Sequence, residues 1–177
     1  MRYAQEALEF NLTRNDPFAA TTAYLVLSSA AYGLGDYHAA EDYSQQWQAL
    51  AERRVSWFAA YFHVDLGNIA RIMGNYAAAK RHYEACYNIC REFNDPEGMA
   101  VSLKNLGRVA LLEGDPGKAK QLYEQSIVLY KDLGDRGGLA TALAGLGAAD
   151  TALGDFTAAK MHLMHTLQIT TEIRLTR

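Results

Sequence analysis

The chain has 177 residues, 50% of them hydrophobic and 21% charged, with a formal net charge of −3. That is an ordinary globular composition, long enough to bury one continuous core, and its Lys and Arg residues are dispersed rather than gathered into the basic stripe of a nucleic-acid surface. No apolar run approaches the ~18 residues of a membrane span, no signal-peptide pattern opens the chain, and two cysteines are too few for a disulfide framework. The expectation is an intracellular, cytoplasmic protein that partners neither nucleic acid nor membrane.

Taken in chain order, the first landmark is "TRNDPF", Thr13 to Phe18, which reads as a loop between helices. Counting back from Asp16, residues 1–14 take the place of the second helix of a pair whose first helix is missing, so the chain reads as cut from a longer array. Next comes "GDY" at Gly35 to Tyr37, repeated as "GNY" at Gly74 to Tyr76, "GDP" at Gly114 to Pro116 and "GDF" at Gly154 to Phe156, spaced by 39, 40 and 40 residues. A constant period of this size marks stacked supersecondary units. Longer loops, "FNDPEG" at Phe93 to Gly98 and "LGDRGG" at Leu133 to Gly138, close the units. The divisions that follow are residues 15–56, 57–96, 97–136 and 137–177, each a pair of antiparallel helices.

One corner, "GDPGK" at Gly114 to Lys118, invites comparison with a phosphate-binding loop. A Walker A loop requires G-x-x-x-x-G-K-[ST], whereas Leu112 and Ala119 stand where Gly and Ser or Thr are needed. The motif is a tight corner, with Pro116 tolerated at the start of the second helix.

Before each corner stands a Leu-small pair: Leu27-Ser28, Leu66-Gly67, Leu106-Gly107 and Leu146-Gly147. Five residues after each corner glycine comes an alanine: Ala40, Ala79, Ala119 and Ala159. Helix axes approach to ~8 Å only where the facing side chains are small. Glycine inside a helix costs about 1 kcal/mol against alanine, so three at one phase indicate a packing need. Tyr83 and Tyr123 then fill the outer shell.

A Leu-Gly pair, an Ala twelve residues after the Gly, and an aromatic four residues later resemble the tetratricopeptide repeat, best in Leu103 to Asp135. The period of 40 is similar to the longer-helix subclass, which resembles kinesin light chains, Pins-type adaptors and the sensor arms of bacterial signalling regulators. The resemblance implies an all-α, right-handed solenoid that works as a protein-interaction scaffold, with no enzymatic activity and no cofactor. Local departures are Ser28 for Gly, Ser44 for the aromatic, Trp47 at a usually small position, and Leu163 for the last aromatic.

Enzymatic candidates are thin. His82 and Cys86 are four apart on one helix but lack an orienting group or oxyanion hole. His162 and His165 lack a carboxylate or Cys at useful spacing on their own face, and Asp150 is either a buried charge or a groove residue.

In the family resembled, the first helix of each pair lines a concave wall. That places Tyr61, Val64, Asp65, Asn68 and Arg71 in the groove from the second unit, and Val101, Lys104, Asn105, Arg108 and Leu111 from the third. Thr22, Leu25, Ser29 and Tyr32 line it in the first unit, and Thr141, Ala144, Gly145, Ala148 and Thr151 in the fourth, where the small wall would admit a close partner. Lys104 and Arg108, four apart on one helix, repel each other unless an anion lies between them. Asn side chains pair with peptide groups while Arg and Lys bind carboxylates. The expected ligand is therefore a protein or peptide segment of acidic character gripped by Tyr61, Asp65, Asn68, Arg71, Lys104, Asn105 and Arg108. The alternative is self-association through the solenoid ends.

Overall fold

The computed structural model of the chain describes Glu6, Glu9 and residues 17–51 and 58–175. The helix expected over residues 1–14 lies outside these, save Glu6 and Glu9, both helical. The loop expected at 13–18 is also outside, although Pro17 opens a helix.

Eight further helices account for the rest: α1 (Pro17–Gly33), α2 (Tyr37–Ala51), α3 (Phe58–Ile72), α4 (Tyr76–Glu92), α5 (Pro96–Leu112), α6 (Pro116–Leu133), α7 (Arg136–Leu153) and α8 (Phe156–Leu175). No strand occurs among the described residues. The chain is an all-α right-handed solenoid of antiparallel helix pairs.

Each helix stops and restarts for a local reason. Gly35, Gly74, Gly114 and Gly154 adopt φ of 79°, 78°, 83° and 81°, a region closed to most side chains. The next residue caps the following helix: Asn75 Oδ1 accepts from the Ala78 N–H at 3.1 Å, Asp115 Oδ1 from the Lys118 N–H at 2.9 Å and Asp155 Oδ1 from the Ala158 N–H at 3.0 Å. "GDPGK" is thus a left-handed glycine, an N-cap and a proline in the first turn. The loops between pairs work alike, with Asp95 and Asp135 capping α5 and α7.

The first helices of successive pairs touch one another, α1 with α3, α3 with α5 and α5 with α7, while no such contact joins the second helices. The stack therefore curves with its odd-numbered helices on the inner, concave side.

Within a pair, an aromatic lies over a glycine. A Cβ on Gly67 would come within 2.5 Å of the Tyr83 ring, and one on Gly107 within 3.2 Å of the Tyr123 ring. Tyr83 is fully buried and Tyr123 nearly so. The first pair solves the same problem with polar atoms: Ser28 and Ser44, replacing glycine and aromatic, place their hydroxyls 2.7 Å apart, and Ser28 Oγ donates to the Ala40 carbonyl at 3.1 Å. Trp47, at a position held by Cys86 and Ser126 in the next units, stacks its ring on Phe62 of α3 with centroids 3.3 Å apart. Leu163 packs against Gly147 in place of the missing aromatic.

Gly67→Ala tests this close approach. Helix propensity alone favours alanine by about 1 kcal/mol, but the methyl would displace a buried ring, and overpacking costs about 1–3 kcal/mol. The expected outcome in urea unfolding is a net loss of stability, larger than for Gly107→Ala, whose neighbour is farther away.

Candidate functional site

The inner helices α3 and α5 carry the residues expected in the groove, and several are committed to neighbours. Tyr61 Oη donates to Asp95 Oδ2 at 2.9 Å, bracing α3 against the cap of α5; burial, reinforced by Asp95, raises its phenol pKa. Asn68 Oδ1 accepts from the Tyr83 hydroxyl at 2.9 Å. Asn105 is 9% exposed, so its amide is largely withdrawn from the groove surface. Val64, Val101 and Leu111 are half-buried and pack against the core.

The cations are less committed. Arg108 is exposed, and Arg71 is half-buried with its Nε sealed from solvent and facing no acceptor. Burial raises the Tyr83 phenol pKa, while a hydrogen bond from Arg71 and the charges of Arg71 and Arg108 pull it back. At Tyr123, burial is opposed by Arg108 and Arg71. Two guanidinium groups from neighbouring inner helices thus both bear electrostatically on the two tyrosine hydroxyls. Lys104 stands aside, half-buried, its Nζ 5.9 Å from the Tyr130 ring centroid; burial lowers its pKa against the pull of Asp135. Among the described residues, no carboxylate forms an ion pair with Arg71, Lys104 or Arg108. The local charge is positive and uncompensated. One carboxyl departs from this: burial pushes Asp65 up to about 6.

At the flanks the side chains of Thr22 and Leu25 lie outside the described residues. Ser29 is exposed, and Tyr32 meets Tyr37 edge-on, centroids 5.7 Å apart. Thr141, Ala148 and Thr151 are exposed, while Ala144 and Gly145 are half-buried. The small wall expected to admit a partner is partly filled from within, because the Tyr123 ring occupies the space a Cβ on Gly145 would need.

The other chemistry-bearing residues serve packing. Cys86 and Cys90 are fully buried with Sγ atoms 3.9 Å apart, and burial raises both thiol pKa values, which disfavours a thiolate nucleophile. His82 pairs with His63, not with Cys86. Asp150, fully buried, accepts from Lys120 Nζ at 2.7 Å and meets His162 Nδ1 at 2.8 Å. Burial pushes its carboxyl up, but those two hydrogen bonds outweigh it and hold the pKa below the usual carboxylate range. It is a buried charge and not a groove residue. The carboxylate that His162 lacked on its own helix comes from α7 across the corner. A surface concavity of about 600 Å³ lies on α8, lined by Met161, Met164, Leu167 and neighbours. Among the described residues no three His, Cys, Asp or Glu side chains gather as a metal site, and no helix is long and apolar enough to cross a membrane.

The family model described as "Tetratricopeptide repeat" matches residues 58–132, which span α3 to α6 with their corners, glycines and tyrosines. These are tetratricopeptide repeats. The tetratricopeptide fold extends beyond them in three dimensions. BtubC from P. vanneervenii superposes with a TM-score of 0.82 at 19% identity, covering 90% of this chain and 66% of its own. Aspartyl phosphate phosphatase F from Bacillus subtilis gives 0.87 at 14%, covering 97% and 45%. A signal transduction ATPase with numerous domains, with a tetratricopeptide repeat sensor, from Pyrococcus horikoshii gives 0.79 at 20%, covering 92% and 25%. The chain thus spans two thirds or less of each of these proteins. Nearly identical tetratricopeptide-like repeats of a putative fungal kinesin light chain also align, at a TM-score of 0.73. No curated protein is significantly similar in sequence.

Sequence reasoning overlooked the reach of Tyr83 to Asn68 and of the Tyr123 ring to Gly145 on the inner helices. Their signal was the phase of the aromatic, which sets each ring over a glycine and its hydroxyl toward the inner helices.

Two stability predictions follow from the buried charges. Asp65 has a raised folded pKa, so its stabilising effect is full below the ordinary carboxylate pKa and is lost as pH rises through about 6. Asp65→Asn should therefore exceed the parent in stability at pH 7 by roughly 1–3 kcal/mol and lose that advantage near pH 4, as read by urea unfolding at both pH values. For Asp150, removing both partners strands a buried carboxylate, at about 3 kcal/mol or more, whereas removing the charge itself is mild. The double variant Lys120→Met, His162→Leu should thus unfold at lower urea than Asp150→Ala, which restores the Ala110 of the preceding unit.

Proposed function

We propose that the concave groove is a reader of an acidic protein or peptide segment, with Arg71, Lys104 and Arg108 supplying the charge. The observation that carries this is that Arg71, Lys104 and Arg108, on the two neighbouring inner helices, form no ion pair with a carboxylate among the described residues. An arriving carboxylate would supply that missing partner through charge-assisted hydrogen bonds to the guanidinium groups. Asn68 and Asn105 then support the floor more than they grip a ligand, since one already bonds Tyr83 and the other is nearly buried. Asp65, on the same helix as Arg71, suits a ligand N–H or cation, giving the bound segment a direction. Preformed walls keep the ordering cost on the ligand.

Within a larger protein, such an array would serve as the sensor or scaffold arm of a signalling regulator. The fold shared with a tetratricopeptide sensor and with an aspartyl phosphate phosphatase supports that setting. A second reading, pairing of solenoid ends, draws on α8, which exposes Phe156, Met161, Leu163, Met164 and Leu167.

An array of acidic and neutral peptides, some with free C-terminal carboxylates, separates the two readings. The parent should retain acidic peptides in a salt-sensitive manner, and Arg71→Glu, Lys104→Glu, Arg108→Glu should lose them while its helical circular dichroism matches the parent. Equal retention by both proteins would refute the groove assignment. Concentration-dependent size indifferent to the charge reversal would favour end pairing.

A further inference from the structure

The 40-residue period aligns one cross-corner pair in every unit: Tyr24 with Tyr43, His63 with His82, Leu103 with Leu122, and Leu143 with His162. Its members come from the two helices of one pair and meet at their interface. In the first unit it is two phenol rings, with centroids 6.4 Å apart. In the second it is two imidazoles. Leucine at the same place in the third unit shows that packing alone asks only for an apolar side chain.

The imidazoles are arranged for more than packing. Their Nδ1 atoms stand 3.2 Å apart, with ring planes at 29° and centroids at 5.4 Å. Two imidazole nitrogens on one tetrahedral divalent ion, each at ~2.0–2.1 Å, are separated by about 3.3 Å. The second helix pair thus holds two nitrogen donors, from α3 and α4, at the separation such an ion requires. A tautomeric N–H···N bond accounts for the distance when no ion is present. We propose that His63 and His82 form a binding site for a borderline transition-metal ion, Zn²⁺ or Ni²⁺, which bridges α3 to α4 and stiffens the second helix pair.

Further observations bear on it. Arg81 is the adjacent cation that opposes binding. The nearby thiols do not compete, since Cys86 and Cys90 are fully buried. Among the described residues no third His, Cys, Asp or Glu joins the pair. The remaining positions would be held by water, leaving the ion open to a donor from outside. Hard ions such as Mg²⁺, which prefer oxygen, are excluded by the all-nitrogen donor set. This site is independent of the groove reading and uses none of its residues.

The test is calorimetric titration of the metal-free chain at pH 7.5 with ZnCl₂, NiCl₂ and MgCl₂. One equivalent of Zn²⁺ or Ni²⁺ should bind, raising the thermal midpoint, while Mg²⁺ does nothing. The His63→Leu, His82→Leu variant, which copies the Leu103 and Leu122 pair, should lose that equivalent, and His162→Leu, His165→Leu should keep it. A second readout needs no variant: substoichiometric Ni²⁺ should broaden the imidazole resonances of His63 and His82 first. Absence of binding to the parent, its retention by the His63 and His82 variant, its loss in the His162 and His165 variant, or broadening centred on other residues would each overturn the assignment.

Discussion

Everything in this solenoid hangs on the contact between an aromatic ring on the outer helix and a bare patch of backbone on the inner one. Two helices joined by a corner of three residues must run nearly in contact, and that is possible only where one of them presents no side chain. Gly67 beneath Tyr83 and Gly107 beneath Tyr123 meet the requirement directly. Ser28 and Ser44 meet it by exchanging a bulky ring for a hydroxyl pair, and Gly147 meets it with a leucine. The chemistry at this position varies from pair to pair, while the close approach it permits does not.

The same contact shapes the groove. The rings lie between inner and outer helices, and among the described residues the odd-numbered helices touch their counterparts in the next pair while the even-numbered ones do not. Each ring also ends in a hydroxyl that reaches an inner helix: Tyr83 donates to Asn68 of α3, and the Tyr123 ring lies against Gly145 of α7. The tyrosine that holds a pair together thus also ties it to the inner wall.

Buried charge is handled in two contrasting ways. Asp150 is surrounded by alanines yet keeps its charge, because Lys120 and His162 reach it from two neighbouring helices. Asp65 has no such partners, and burial alone raises its pKa. The first is a closed arrangement that asks nothing more of a ligand. The second, like the Arg71 Nε, is an open one, and open arrangements are where a preformed surface has affinity in reserve.

The repeat, its corners and its small-residue stripe were legible in the chain because they obey local rules. A left-handed glycine, an Asp or Asn cap and a proline in the first turn each act within three residues, and the 40-residue period is a property of the string itself. Helical spacing also sets which residues of α3 and α5 share a face, but not which of them stay exposed on it. What the string left open concerns residues twelve to forty positions apart. Whether Asp150 was a groove residue or a buried charge, whether Asn105 was presented or withdrawn, and whether Gly145 was open or filled by Tyr123 all turned on which side chain arrives from the neighbouring helix. The pairing of His63 with His82 belongs to the same class: period and phase bring the two to one corner, but only the packed interface sets their nitrogens 3.2 Å apart. The sequence by itself determined the helices, their order and their stacking, because those follow from backbone geometry and size. Tertiary structure decided which polar groups are spent inside the fold and which remain for a partner, because that depends on distances no local rule contains.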